Sequence, residues 1–146
     1  MDEIDREIIT ILKKNSRISA SAISKSVNLS VPAVLERMNK LDKQGYITQY
    51  TIKLDRKKTG CHLTAFICVV LEMSADIKSF RKAILNLPNV LECHHIAGKY
   101  DYILKISVKD TDALEDFLIN SLKKIDGVAS SNTLISLSVL KEEFNL

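Results

Sequence analysis

The sequence lacks the features that mark membrane, secreted or metal-bound proteins. Its three cysteines, Cys61, Cys68 and Cys93, include no C-x-x-C pair and leave one over. Neither a disulfide framework nor a zinc ribbon is expected, only reduced, mostly buried thiols. No run approaches the roughly 18 apolar residues that would span a bilayer. Met1 is followed by Asp2, Glu3 and Asp5 rather than by a basic, then apolar, leader, so a cytoplasmic protein without a membrane partner is expected. With four glycines in 146 residues, no glycine-rich phosphate loop appears. No nucleophile with an oriented base and no paired carboxylates are recognisable either, so the chain is not expected to be an enzyme, and no catalytic residue or cofactor is assigned. Cys93, His94 and His95 invite a metal reading, with His62 nearby in sequence. In an alternating strand, however, Cys93 and His95 face one side and His94 the other, so no metal site is assigned.

What is present describes a globular chain: 46% hydrophobic and 27% charged residues. The net charge of +3 is unevenly spread. Residues 1–59 hold 12 Lys or Arg against 7 Asp or Glu, whereas residues 60–146 hold 9 against 11. The first part is therefore basic by five charges and the second acidic by two, which favours phosphate contact by the N-terminal part alone.

The basic part carries the clearest motif. Residues 20–46, ASAISKSVNLSVPAVLERMNKLDKQGY, read as two short amphipathic helices joined by a tight turn, a helix-turn-helix. Ile23, Val27, Leu29, Val34, Leu35, Met38 and Leu41 form one apolar seam at spacings of three and four once the turn is counted out. Asn28 suits a left-handed C-cap, the small Ser24 allows close helix approach, and Ser30 offers an N-cap oxygen ahead of Pro32. A preceding helix is marked by Ile4, Ile8, Ile11 and Leu12. It has Asp2, Glu3 and Asp5 at the positive end of its dipole and Lys13 and Lys14 at the other. Gly45 ends the second helix of the motif, and 46–54 (YITQYTIKL) alternates as a strand. The run Arg56, Lys57, Lys58 and Gly60 reads as a linker, with the domain boundary at 59/60.

Beyond it, strands alternate with helices. Strands are expected at 63–73, 90–97, 102–108 and 128–140. One helix is carried by Ile77, Phe80, Ile84 and Leu87 and stopped by Pro88; the other is carried by Leu114, Phe117, Leu118, Leu122 and Ile125. An echo at an offset of 38 residues (Phe66 with Leu104, Phe80 with Leu118, Ile84 with Leu122, Val90 with Val128) supports two βαβ halves. The expected fold class is α+β: a winged helix-turn-helix domain over residues 1–59, then a ferredoxin-like βαββαβ sheet domain over residues 60–146. The first strand is apolar in both phases, and such strands are buried on both faces. With no chain left to cover the second face, a homodimer through these sheets is expected.

The segment LSVPAVLERMNKLDKQGYITQYT at 29–51 and the turn ECHHIAGKYDYILK at 92–105 resemble the Lrp/AsnC, or feast/famine, transcription regulators over essentially the full length. Asn28 stands where that family usually has a turn Gly, Val31 where it often has Pro, and Leu134 where it often has an aromatic residue. The resemblance implies a sequence-specific DNA-binding regulator of double-stranded DNA. It also implies a homodimer assembling into a tetramer or octamer, modulated by an amino acid or related metabolite. An architectural protein wrapping DNA with little sequence choice is the alternative. Ser30, Val31, Pro32, Ala33, Glu36, Arg37 and Lys40, near the start and on the outer face of the third helix, are the candidate DNA contacts; Arg37 is alternatively an internal strut. In the turn Gly98, Lys99, Tyr100 and Asp101, backbone N–H groups suit a ligand carboxylate and Asp101 an α-ammonium, although an ordinary hairpin with a turn-stabilising Asp fits the same residues. By resemblance, Thr133 and Ser136 from a neighbouring subunit complete the pocket.

Overall fold

The computed structural model describes residues 1–143. Phe144, Asn145 and Leu146, the end of the expected second domain, lie outside the described residues. The chain folds into two compact units, one of residues 1–53 together with Glu143 and one of residues 54–142.

The first unit holds helices α1 (Glu3–Lys14), α2 (Ala20–Val27) and α3 (Val31–Lys43). Each begins with a side-chain cap. Asp2 and Asp5 form a reciprocal capping box on α1, Ser19 caps α2, and Ser30 caps α3 by accepting from the Ala33 N–H at 3.3 Å. Asn28 adopts φ +52°, ψ +46°, the left-handed conformation that ends α2 and aims α3 away from it. Ile8 and Leu12 of α1, Ile23 and Val27 of α2, and Val34 and Leu41 of α3 close a single core, and Ser24 is buried among them. Leu35, expected in this seam, instead stands outside it at 47% exposure. Its neighbour Val34 takes the core position, and one residue is a rotation of about 100° on a helix.

Residues 46–54 form no strand. All four strands among the described residues belong to the other unit's sheet; the Tyr46 and Ile47 N–H groups donate instead to the Leu41 carbonyl, and Tyr46, Tyr50, Ile52 and Leu54 are left exposed. The division between units falls at 53/54 rather than at 59/60. The reason is local to the second unit: Arg56 is ion-paired to Glu142 at 2.7 Å, and the Asp55 side chain caps the turn that follows by accepting from the Lys57 and Lys58 N–H groups.

The second unit runs β1 (Leu63–Leu71), α4 (Ile77–Leu85), β2 (Val90–His95), β3 (Tyr102–Val108), α5 (Thr111–Asp116) and β4 (Val128–Ser136). Its antiparallel sheet has the order β2-β3-β1-β4, the βαββαβ arrangement expected from the sequence. Ala65, Ile67 and Val69 of β1 and Leu104, Ile106 and Val108 of β3 pack against Phe80, Ile84, Leu114, Phe117 and Leu122 from the helical side. After α5 the chain makes a π-helical turn over Phe117–Ser121 and a short 3₁₀ turn over Leu122–Lys124. The π turn lets Phe117 and Leu122, five residues apart, both reach the core. Phe117 thus takes the place opposite Phe80 that the 38-residue echo assigns to Leu118. The last strand ends at Ser136 rather than Leu140, where its pairing with β1 reaches Thr64. In β2, Cys93 packs toward the helices, while His94 meets Glu92 at 3.2 Å and His95 stacks on Tyr102.

The other face of the sheet presents Phe66, Val70, Ile103 and Leu134 around Lys105. It is not bare of its own chain, contrary to the expectation that none remained to cover it. Glu142 comes over Lys105 at 2.6 Å, and Glu92 reaches the same ammonium at 2.9 Å. Ser107, also on this face, has a buried hydroxyl with no partner among the described residues.

Candidate DNA-reading helix and effector groove

The start of α3 is built to face outward. The Ser30 cap and Pro32 set the helix direction, and the buried pair Val34 and Leu41 fixes which side turns to the core. Val31, Pro32, Leu35, Glu36, Asn39, Lys40 and Lys43 are left exposed, while Ala33 is half-buried. Six of the seven sequence-assigned contacts, Ser30, Val31, Pro32, Ala33, Glu36 and Lys40, thus lie at the helix start or along its outer side. Asn39 and Leu35 share that side and were missed. The signal was the i, i+4 row Val31, Leu35, Asn39, obscured because Leu35 also fits an apolar seam.

Arg37 is placed differently. Its Nη1 donates to Asp2 and to Asp5, both at 2.7 Å, tying α3 to the capping box of α1. This is the strut alternative, with Asp2 and Asp5 as its partners. The Asp2 carboxyl is held below its ordinary range by the Asp5 backbone N–H and then by Arg37; Asp5 is lowered by the Asp2 N–H and then by Arg37, against its burial. The Arg37 guanidinium is raised in turn by both carboxylates.

In the second unit the turn after β2 is tied into the sheet. Asp101 accepts from the Leu71 N–H at 2.7 Å through its carboxylate, and its own N–H donates to the Val69 carbonyl at 2.9 Å. Gly98 is exposed at φ +150°, and the Lys99 ammonium lies 5.4 Å from the Tyr100 ring centre. Thr133 and Ser136 do not share a face: Thr133 pairs with Ile67 on the helical side, and Ser136 pairs with Thr64 on the open side. Within one chain the turn, Thr133 and Ser136 are therefore not gathered into a single pocket. Thr133 instead lines a groove of about 430 Å³ between α5 and β4 with Thr111, Glu115, Leu118, Ile119 and Lys123. This groove offers one carboxylate, one ammonium, two threonine hydroxyls and an apolar wall.

On the open sheet face, hydrogen bonds from Lys105 and then Arg56 bring the Glu142 carboxyl down to about 2. Burial works against the Lys105 charge, but Glu142 and Glu92 outweigh it and raise the ammonium above its usual range.

A capped, outward-facing third helix in a helix-turn-helix, followed by a small antiparallel sheet domain with a polar groove, defines a DNA-binding transcriptional regulator. Known proteins agree. Residues 1–48 match a winged helix-turn-helix DNA-binding domain and residues 64–146 the Lrp/AsnC ligand binding domain. The chain is 39% identical over 118 residues to the HTH-type transcriptional regulator LrpC of Bacillus subtilis, covering 81% of each. It is 34% identical over 148 aligned residues to the leucine-responsive regulatory protein of Escherichia coli, covering 100% of this chain and 90% of that one. A transcriptional regulator of Neisseria meningitidis, solved as an L-Met complex, superposes with a TM-score of 0.96 at 28% identity, covering 100% of this chain and 96% of that one. The LrpC structure superposes at 0.87 with 35% identity, covering 98% and 99%. The chain belongs to the Lrp/AsnC family of transcriptional regulators.

Proposed function

We propose that this regulator binds its operators as a homodimer or a larger assembly, and that an amino acid or related metabolite sets its DNA affinity. The observation that carries the effector reading is the groove between α5 and β4. A zwitterion needs one anion and one cation, and Glu115 and Lys123 supply both beside the apolar Leu118 and Ile119. The volume is within the range of small-molecule sites, and the L-Met complex of the Neisseria regulator belongs to a chain of the same fold. Gly98, Lys99, Tyr100 and Asp101 are a second contribution, brought to the effector from another subunit. The assembly reading rests on the apolar open face, where Phe66, Val70, Ile103 and Leu134 await a cover.

The test is a thermal-shift screen of the twenty amino acids on the full chain, followed by calorimetry and gel-shift titration with each hit. A hit present at a hundred times its Kd stabilises by about 2.7 kcal/mol, a readily measured rise in melting temperature. The expected result is at least one amino acid that raises the melting temperature and changes operator affinity, with both effects lost in Lys123→Ala. Twenty amino acids that change neither would overturn the effector reading.

A further inference from the structure

The outer side of α3 has a chemistry that goes beyond DNA binding as such. Val31, Leu35 and Asn39 stand in one row at spacings of four, and Pro32 and Glu36 lie beside them. Two of these side chains are large and apolar yet open to solvent, Val31 at 37% and Leu35 at 47%. A single exposed Leu is ordinary. An apolar row at the start of a helix whose first turns enter a major groove is a reading surface.

Side-chain types sort base pairs by what they offer. Arginine and lysine read guanine O6 and N7, asparagine pairs bidentately with adenine N6 and N7, glutamate accepts from the cytosine amino group, and apolar groups meet the thymine methyl. Arg37 is the one guanidinium on α3, and its Nη1 is held between Asp2 and Asp5. Lys40 and Lys43 are exposed on the later turns, where they suit phosphates. The first two turns therefore offer no free cation for guanine; what remains is the apolar pair Val31 and Leu35 and the carboxylate of Glu36, with the Asn39 amide one turn on.

We infer that the Val31, Leu35 and Asn39 row reads an A·T-rich half-site, with Leu35 and Val31 against thymine methyls and Asn39 on one adenine. Glu36 beside them disfavours any approach to a phosphate and accepts only from a base amino group. The inference concerns base preference and is independent of any effector.

The experiment uses the full-length protein. Sites are selected from a random duplex pool. The selected duplex is then remade with each thymine in turn replaced by uracil, which deletes the methyl and nothing else, and titrated with wild type, Leu35→Ala and Asn39→Ala. Both substituted positions are on the surface, and unchanged melting curves confirm that the variants fold. In wild type, at least one uracil substitution weakens binding about fourfold, the effect of one buried methyl. Leu35→Ala is indifferent to that same substitution. Changing one particular A·T pair to G·C weakens wild type by about tenfold or more and leaves Asn39→Ala unaffected. Wild-type binding that ignores every uracil, or an Asn39→Ala protein with undiminished preference at every pair, overturns the inference while leaving DNA binding standing. Failure to bind any duplex overturns both.

Discussion

Arg37 shows how one side chain can look like a base reader and serve as a brace. It is a cation on the third helix of a DNA-binding motif, yet it links α3 to both members of the α1 capping box at 2.7 Å. Asp5 is almost fully buried, at 4% exposure, so removing its partner leaves a carboxylate that neither water nor a cation satisfies. Arg37→Ala is therefore expected to lower the melting temperature at pH 7 and to weaken binding to all duplexes alike, without changing preference at any base pair. The pH dependence has a definite sign. Both carboxyls lie below their unfolded value of 3.8, so their contribution is complete above that pH and is lost as the pH falls through the lower, folded values. The gap between wild type and Arg37→Ala should stay constant from pH 7 to about 5 and close as the solution is acidified below 3.8. Melting curves across that range and titration of a small set of duplexes decide it. A variant that melts like wild type but loses one G·C preference would make Arg37 a base reader after all.

At the scale of elements, the second helical segment of the sheet domain is the informative one. An ideal helix would send Leu114, Leu118 and Leu122 to one side at spacings of four. The π turn over Phe117–Ser121 inserts one residue, so Phe117 is 3% exposed and Leu122 fully buried, while Leu118 is only partly covered and lines the groove. Core packing thus takes the larger ring, and the register shift opens the site. Phe117→Ala should cost about 3 to 5 kcal/mol in urea unfolding of the full chain, as large-to-small changes of aromatic core residues do. Leu118→Ala should cost much less in stability and should act on effector affinity instead. Equal destabilisation by the two would mean that the π turn does not decide which residue faces the core.

For the whole molecule, the open face of the sheet is the main unfinished surface. Glu142, Lys105 and Arg56 close one part of it with a charged cluster, and Phe66, Val70 and Leu134 leave the rest apolar. A second copy placed there would bring two reading helices into one particle, and the tethering alone raises DNA avidity by about 10² to 10⁴ over a single domain. Phe66→Lys puts a charge directly across from Lys105 in the β1–β3 register and should reduce the sedimenting mass to that of the monomer. Operator affinity should fall within that same range, with the fold of each chain retained by circular dichroism. An oligomer of unchanged mass in Phe66→Lys would place the subunit contact elsewhere.

Local features were readable from the amino-acid order because their causes lie within a few residues. The seams of the three N-terminal helices follow the helical repeat, Asn28 takes a left-handed cap that few other residues tolerate, and Ser30 finds its N–H three residues on. The βαββαβ order follows from the same short-range periodicities. The tertiary structure decided what depends on partners far away in sequence. Arg37 meets carboxylates 32 and 35 positions away, Glu142 meets Lys105 at a separation of 37 and Arg56 at 86, and no periodicity reports such pairs. It also decided the face given to each borderline residue. Leu35 was left outside because Val34 filled the core, Asp101 was tied to the end of β1, and Thr133 and Ser136 were divided between two faces by strand alternation. The segment 46–54 alternates as a strand should, but a strand is stable only when another backbone lies beside it, and among the described residues no strand pairs with it.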